Sequence, residues 1–205
     1  MKKIIAIFGL SLLFVSCSDD EPTTEPTQPT PVTYTSGSAD FTKYVSVGNS
    51  LTAGYSDNAL FTEGQTASYP NMLASNFALV GGGDFKIPFM ADNLGGLTLG
   101  GSPLDGFGNR LYLSFATGSP NPIPVSGNGS TEVSNIISGP FNNMGIPGAH
   151  SYHLIAPGYG NVQALPNANP YFIRMASSPN STVLADAVSQ NATFFSLWIG
   201  SNDIL

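Results

Sequence analysis

Two apolar runs of strand length each stop at a glycine corner that is followed at once by short polar residues. That repetition limits the folds open to this chain more than any other feature. The first runs into Val45-Ser46-Val47-Gly48-Asn49-Ser50, and the second, Ala192 to Ile199, into Gly200-Ser201-Asn202-Asp203. Phe41 to Val47 alternates apolar and polar residues and is rich in Val and aromatics, which predicts a β-strand. Ala192 to Ile199 is almost continuously apolar, which predicts a central strand buried on both faces. In an open parallel α/β sheet, ligands bind beyond the carboxyl ends of the strands, so Ser50 and Asn202 can face one crevice despite their distance in sequence.

A serine just past a strand end, flanked by small residues, stands where a nucleophile must stand to meet a carbonyl carbon. Acyl transfer also needs hydrogen-bond donors already in place for the developing oxyanion. The amides at Ser50 and Gly145 and the side-chain amide of Asn202 are the candidates. Gly145 lies in Phe141-Asn142-Asn143-Met144-Gly145-Ile146-Pro147-Gly148-Ala149, where two glycines permit close backbone approach. His150 and His153 follow, three residues apart, with no carboxylate nearby in sequence and no third ligand to make a zinc site. They read as polar rim or structural residues.

The amino terminus carries a different message. Met1-Lys2-Lys3 precedes the apolar run Ile4 to Val15, which is too short to span a bilayer as a helix and reads as the core of a signal peptide. It ends at Ser16-Cys17, and Cys17 is the only cysteine of the chain, so no disulfide can form within it. Ser18-Asp19-Asp20-Glu21 and the Pro/Thr-rich stretch to about Ser38 hold too little apolar surface to offset their ordering entropy, which predicts a disordered tether. Removal of residues 1–16 would leave four basic against 13 acidic residues. Nucleic-acid binding needs basic patches, and none is found.

The folded part is expected over 39–205. Tyr69, Met72, Leu73, Phe77 and Val80 recur at helical spacing behind Ser68 and Pro70, predicting a helix whose apolar stripe is core. Gly81-Gly82-Gly83 ends it. Residues 81–140 read as a loop-rich insertion with short strands such as Arg110 to Phe115. Its apolar residues Phe85, Phe89, Met90, Leu94 and Leu97 hint at an acyl site. Thr182 to Gln190 predicts a short helix.

Gly48-Asn49-Ser50-Leu51, Asn143-Met144-Gly145-Ile146-Pro147-Gly148 and Gly200-Ser201-Asn202-Asp203 together resemble the first three blocks of the SGNH/GDSL hydrolase family, in the family's order. The resemblance implies a three-layer α/β/α sandwich of flavodoxin-like type with a parallel sheet. It implies Ser50 as nucleophile, Gly145 and Asn202 in the oxyanion hole, and no metal or organic cofactor. The ending at Ser16-Cys17 resembles a bacterial lipoprotein signal, with Cys17 as the lipidated residue. The acidic cluster behind it looks like the surface-export signal of Bacteroidetes-type lipoproteins. An exported, lipid-anchored protein of the outer membrane follows from that likeness, acting on an ester-bearing small molecule, lipid or acylated glycan.

Two departures from the family pattern bear on activity. Asn49 stands where the family usually has Asp, which removes a charge but keeps hydrogen-bonding capacity. The family's late Asp-x-x-His block, source of its base and orienting acid, occurs nowhere in the 205 residues. A serine hydroxyl without a base is a poor nucleophile. The expectation is therefore the amino-terminal part of a serine esterase, incomplete at its carboxyl end and inactive by itself. The alternative is a non-catalytic surface lipoprotein that binds ligands or partners with the same crevice or with the insertion.

Overall fold

A computed structural model of the chain describes residues 32–205. The expected signal peptide, Cys17 and most of the tether lie outside the described residues. Tyr34–Leu205 form one compact unit.

The unit is built on strand β1 (Tyr44–Gly48), every residue of which is buried. It starts later than the sequence alternation predicts, because Phe41 stacks on Phe77 at 4.0 Å instead of extending the strand. A one-turn helix α1 (Ser50–Ala53) follows directly and stops at Gly54, whose φ of +88° only glycine adopts freely. Then come helix α2 (Thr62–Thr66) and helix α3 (Tyr69–Ala78), the latter with a proline in its first turn and Gly81 past its end at φ +91°.

The segment 81–140 carries only short strands: β2 (Leu97–Leu99), β3 (Ser102–Pro103), β4 (Leu111–Ser114), β5 (Asn121–Pro124) and β6 (Thr131–Glu132). Strands β2, β3 and β6 form one small sheet, and β4 and β5 a separate antiparallel hairpin. Glu132 ties the first of these together by accepting from the amides of Gly100 and Gly101, which holds its carboxyl down at about 2. Strand β7 (Asn143–Gly145) leads to a 3-10 helix at Ser151–Ile155 and a second at Val162–Ala164. Helix α4 (Pro170–Ile173), helix α5 (Val183–Val188), strand β8 (Phe194–Trp198) and helix α6 (Ser201–Ile204) complete the order.

β7, β1 and β8 make a parallel three-stranded sheet with β1 in the middle. Side chains alternate across it. On one face Val45, Val47 and Met144 join Phe172, Val183 and Ala187 in the larger core cluster. On the other, Tyr44 and Phe194 meet Phe77 of α3, and Trp198 meets Tyr69. The architecture is mixed α/β with helices on both faces of a parallel sheet.

Two expectations need correction. β8 is not a central strand buried on both faces: it lies at the sheet edge, with Phe195 67%, Leu197 56% and Trp198 51% exposed. No further strand among the described residues pairs with its outer side. The stripe of α3 is only partly core. Met72 is 56% exposed and Leu73 also faces out, while Pro70 and Ala74 are buried and Tyr69 and Phe77 supply aromatic contacts. The helix is held by rings set edge-on to the sheet rather than by an aliphatic ridge. Among the described residues no helix is long and apolar enough to cross a membrane.

Candidate active site at the strand ends

The corner after β1 is set by what glycine allows. A side chain at Gly48 would run into Thr52 and the carbonyl of Trp198, so only glycine lets α1 begin at the strand's end while β8 stays alongside. Asn49 caps the turn. Its Oδ1 accepts from Leu51 N–H, its backbone N–H donates to the Trp198 carbonyl at 3.2 Å, and its Nδ2 donates to Ser201 Oγ at 2.6 Å. Asn49 is 1% exposed, and Ser50, at the first helical position, is half-buried. The Ser50 amide belongs to the first helical turn, whose N–H groups have no acceptor inside the helix.

The oxyanion candidates change places. Gly145 is buried at the end of β7, and its N–H donates to Asn143 Oδ1 at 3.0 Å. A side chain there would strike the backbone of Thr52 and Ala53, so this glycine serves the contact between β7 and α1. Asn143 Nδ2 seals that contact with a bond to the Thr52 carbonyl at 2.9 Å. Ile146 N–H still pairs with Gly48, and only then does the chain turn, through Pro147-Gly148. Gly148 is exposed, has φ +79°, and directs its N–H at Ser50 Oγ at 3.4 Å. The amide that faces the serine is therefore Gly148, not Gly145. The Pro-Gly pair was the available signal, since it marks where an extended run must turn.

Asn202, in the first turn of α6, donates from Nδ2 to the carbonyl of Ala149 at 2.8 Å, one residue beyond Gly148. Ser50, Gly148 and Asn202 are thus brought to one end of the sheet, past the carboxyl ends of its strands. Asp203 turns the other way: its carboxylate accepts from Ser151 N–H at 3.0 Å and Ser151 Oγ at 2.7 Å, bonds that lower its pKa.

His150 and His153 are engaged with each other. His153 Nδ1 accepts the backbone N–H of His150 at 3.0 Å, which leaves the proton of the neutral ring on Nε2. The His153 ring stacks on Tyr159 at 4.4 Å and touches Tyr152. Burial, and then the charge of His150, hold its pKa below the usual imidazole value, against a smaller opposing effect of Asp203. Tyr159 in turn accepts from Asn169 Nδ2 at 3.0 Å, and burial pushes its phenol up to about 12. Neither imidazole bonds to Ser50.

The larger hollows lie elsewhere. One of about 640 Å³ is walled by Ile137, Met144, Met175, Asp186 and Gln190, and one of about 590 Å³ lies inside the insertion around Leu97, Phe107 and Asn109. Met90 and Leu97, expected to hint at an acyl site, are instead buried in the core cluster that holds Ala53. Among the described residues no group of three or more His, Cys, Asp and Glu side chains is placed to hold a metal ion. No family model, curated protein or solved structure matches the chain.

Proposed function

We propose that the crevice at Ser50 is the nucleophile and oxyanion half of a serine ester hydrolase of SGNH type, on an α/β/α sandwich scaffold. The observation that carries this reading is the Gly148 amide aimed at Ser50 Oγ, with the Asn202 side-chain amide one residue away. Ser50 Oγ attacks the ester carbonyl carbon, the carbonyl oxygen takes the electron pair, and the alkoxide leaves as the acyl group passes to the serine. The N–H groups of Ser50 and Gly148 and Nδ2 of Asn202 answer the charge on that oxygen. Asn202 would release the Ala149 carbonyl to do so.

The Ser50 proton needs an acceptor, and the two histidines near the crevice are occupied in their own cap. In this reading neither His150 nor His153 is placed to act as that base, and a small external base can stand in for it. The substrate is an ester of a lipid, a small alcohol or a surface glycan, and the membrane is reached through lipidated Cys17. The same lack of a base at Ser50 favours a second reading, a surface lipoprotein that binds acyl or glycosyl groups in the crevice without cleaving them.

The test is labelling with a fluorophosphonate, with and without added imidazole as a substitute base, and mapping of the adduct by mass spectrometry. An adduct on Ser50 that imidazole accelerates and Ser50→Ala abolishes supports the hydrolase. Well-folded protein that stays unlabelled under both conditions sinks it and leaves the binding reading.

A further inference from the structure

The donor that faces Ser50 depends on the sense of one peptide group. Ile146, Pro147, Gly148 and Ala149 form a tight turn, closed by the Ala149 N–H on the Ile146 carbonyl at 3.1 Å. Proline at its second position and glycine at its third, at φ +79°, are the marks of a type II turn. Types I and II differ chiefly in the central peptide: a flip of that group exchanges the directions of its carbonyl and its N–H and takes the third residue from positive to negative φ. Here the central peptide joins Pro147 to Gly148. Its N–H is the one directed at Ser50 Oγ at 3.4 Å, so a flip would turn that donor away from the serine.

The carbonyl end of the same peptide is held from the interior. Asn169 Nδ2 donates to the Pro147 carbonyl at 2.8 Å. A trans peptide is planar, with its C=O and N–H pointing opposite ways, so fixing the one fixes the other. Asn169 is itself firmly placed. It is 8% exposed, its Oδ1 accepts from Tyr171 N–H at 3.0 Å and Phe172 N–H at 3.2 Å at the start of α4, and its backbone N–H donates to the Tyr159 carbonyl at 2.9 Å. Two backbone donors on Oδ1 settle the orientation of the side-chain amide, leaving Nδ2 to face the Pro147 carbonyl and the Tyr159 hydroxyl. The bond on the carbonyl also polarises the peptide and makes its N–H the stronger donor.

We propose that Asn169 is a positioning residue for the Ser50 crevice: its side-chain amide holds the peptide between Pro147 and Gly148 in the sense that presents the Gly148 N–H to Ser50. Its importance for acyl transfer rests on the hydrolase reading of Ser50, whereas its control of the turn does not. Substitution separates this role from the helix cap. Asn169→Asp keeps an oxygen for the Tyr171 and Phe172 amides and can accept from the Tyr159 hydroxyl, but once ionised it has no proton for the Pro147 carbonyl. Asn169→Ser is an equally good cap without charge and is too short to reach Pro147. Tyr159→Phe removes the other partner of Nδ2 and leaves the Pro147 bond in place.

The test makes two measurements on the whole chain at pH 8. One is the rate of fluorophosphonate labelling at Ser50 with imidazole present. The other is the NMR Overhauser effect between Pro147 Hα and the Gly148 N–H, strong in a type II turn and weak once the central peptide has flipped. Both Asn169 variants should label roughly tenfold more slowly and lose the strong Overhauser effect. Tyr159→Phe should match the unaltered protein in both. An Overhauser effect that stays strong in Asn169→Asp and Asn169→Ser overturns the proposal. So does slower labelling in Asn169→Asp alone, which would be the work of its charge. If the unaltered protein takes no label, the hydrolase reading falls, and the Overhauser effect by itself decides whether Asn169 sets the turn.

Discussion

Asn49 Nδ2 donates to Ser201 Oγ at 2.6 Å, which fastens the corner after β1 to the corner after β8 across the sheet. Asn49 also caps α1 and is almost wholly buried, so one side chain fixes both the Ser50 turn and the turn that presents Asn202. Asn49→Ala removes a helix cap, worth about 1 kcal/mol, and takes the donor from the half-buried Ser201 hydroxyl, worth about 1 kcal/mol. A loss of roughly 2 kcal/mol in urea unfolding is expected, with Asn49→Asp much milder because Ser201 can turn its hydroxyl to donate.

Gly145 and Gly148 should separate cleanly on substitution. Gly145→Ala drives a methyl group into the backbone of Ala53, so it should cost about 3 kcal/mol or prevent folding. Gly148→Ala meets open space, with only Asn169 Nδ2 at 4.0 Å, and costs about 1–2 kcal/mol for its positive φ. Where the backbone relaxes away from that φ, the amide turns from Ser50, and fluorophosphonate labelling should fall by roughly tenfold. Chemical denaturation and labelling rate on the same two variants check both statements.

The His153 pKa is lowered in the folded protein, so the unfolded chain binds more protons over that range. Stability is therefore full above the unfolded value of about 6.5 and falls as pH drops through it toward the folded value. Glu132 acts in a lower window: its contribution is present above 4.5 and is lost as pH falls toward about 2. Urea midpoints measured from pH 8 to pH 3 should show two separate declines. His153→Gln should flatten the first and leave the second.

β8 carries no charge and no proline from Phe194 to Ile199, and its outer edge and one face are open. Such an edge is a template for pairing with another strand. Leu197→Lys, at an exposed site, should leave stability within about 0.5 kcal/mol and reduce concentration-dependent association in light scattering. Trp198, the single tryptophan, should emit at red-shifted wavelengths and be readily quenched by acrylamide.

What the sequence made legible was local. The strand at β1, the helix behind Ser68, the break at Gly81, the hairpin strand near Leu111 and the helix after Thr182 follow from periodicity and punctuation, which are properties of neighbouring residues. Which strand is central is not local: the apolar run at β8 has the composition of a core strand, yet its neighbours are decided by tertiary pairing. The same limit explains Gly145. Both glycines of Met144-Gly145-Ile146-Pro147-Gly148 can come close to a ligand, and only the β1–β7 register, which carries pairing through Gly145, shows that the turn belongs to Gly148. Arg174 gave no signal, because nothing in its neighbouring residues marks it as a buried charge.

β1 is clamped by a strand on each side, whereas α6 rests on an edge strand and ends in side chains almost wholly open to solvent. Segments with few buried contacts open first, long before the global transition. Amide hydrogen exchange should therefore run fast around Asn202 and slowly around Val47. On warming, the crevice should come apart from one side, shedding Asn202 while Ser50 and Gly148 still hold their places.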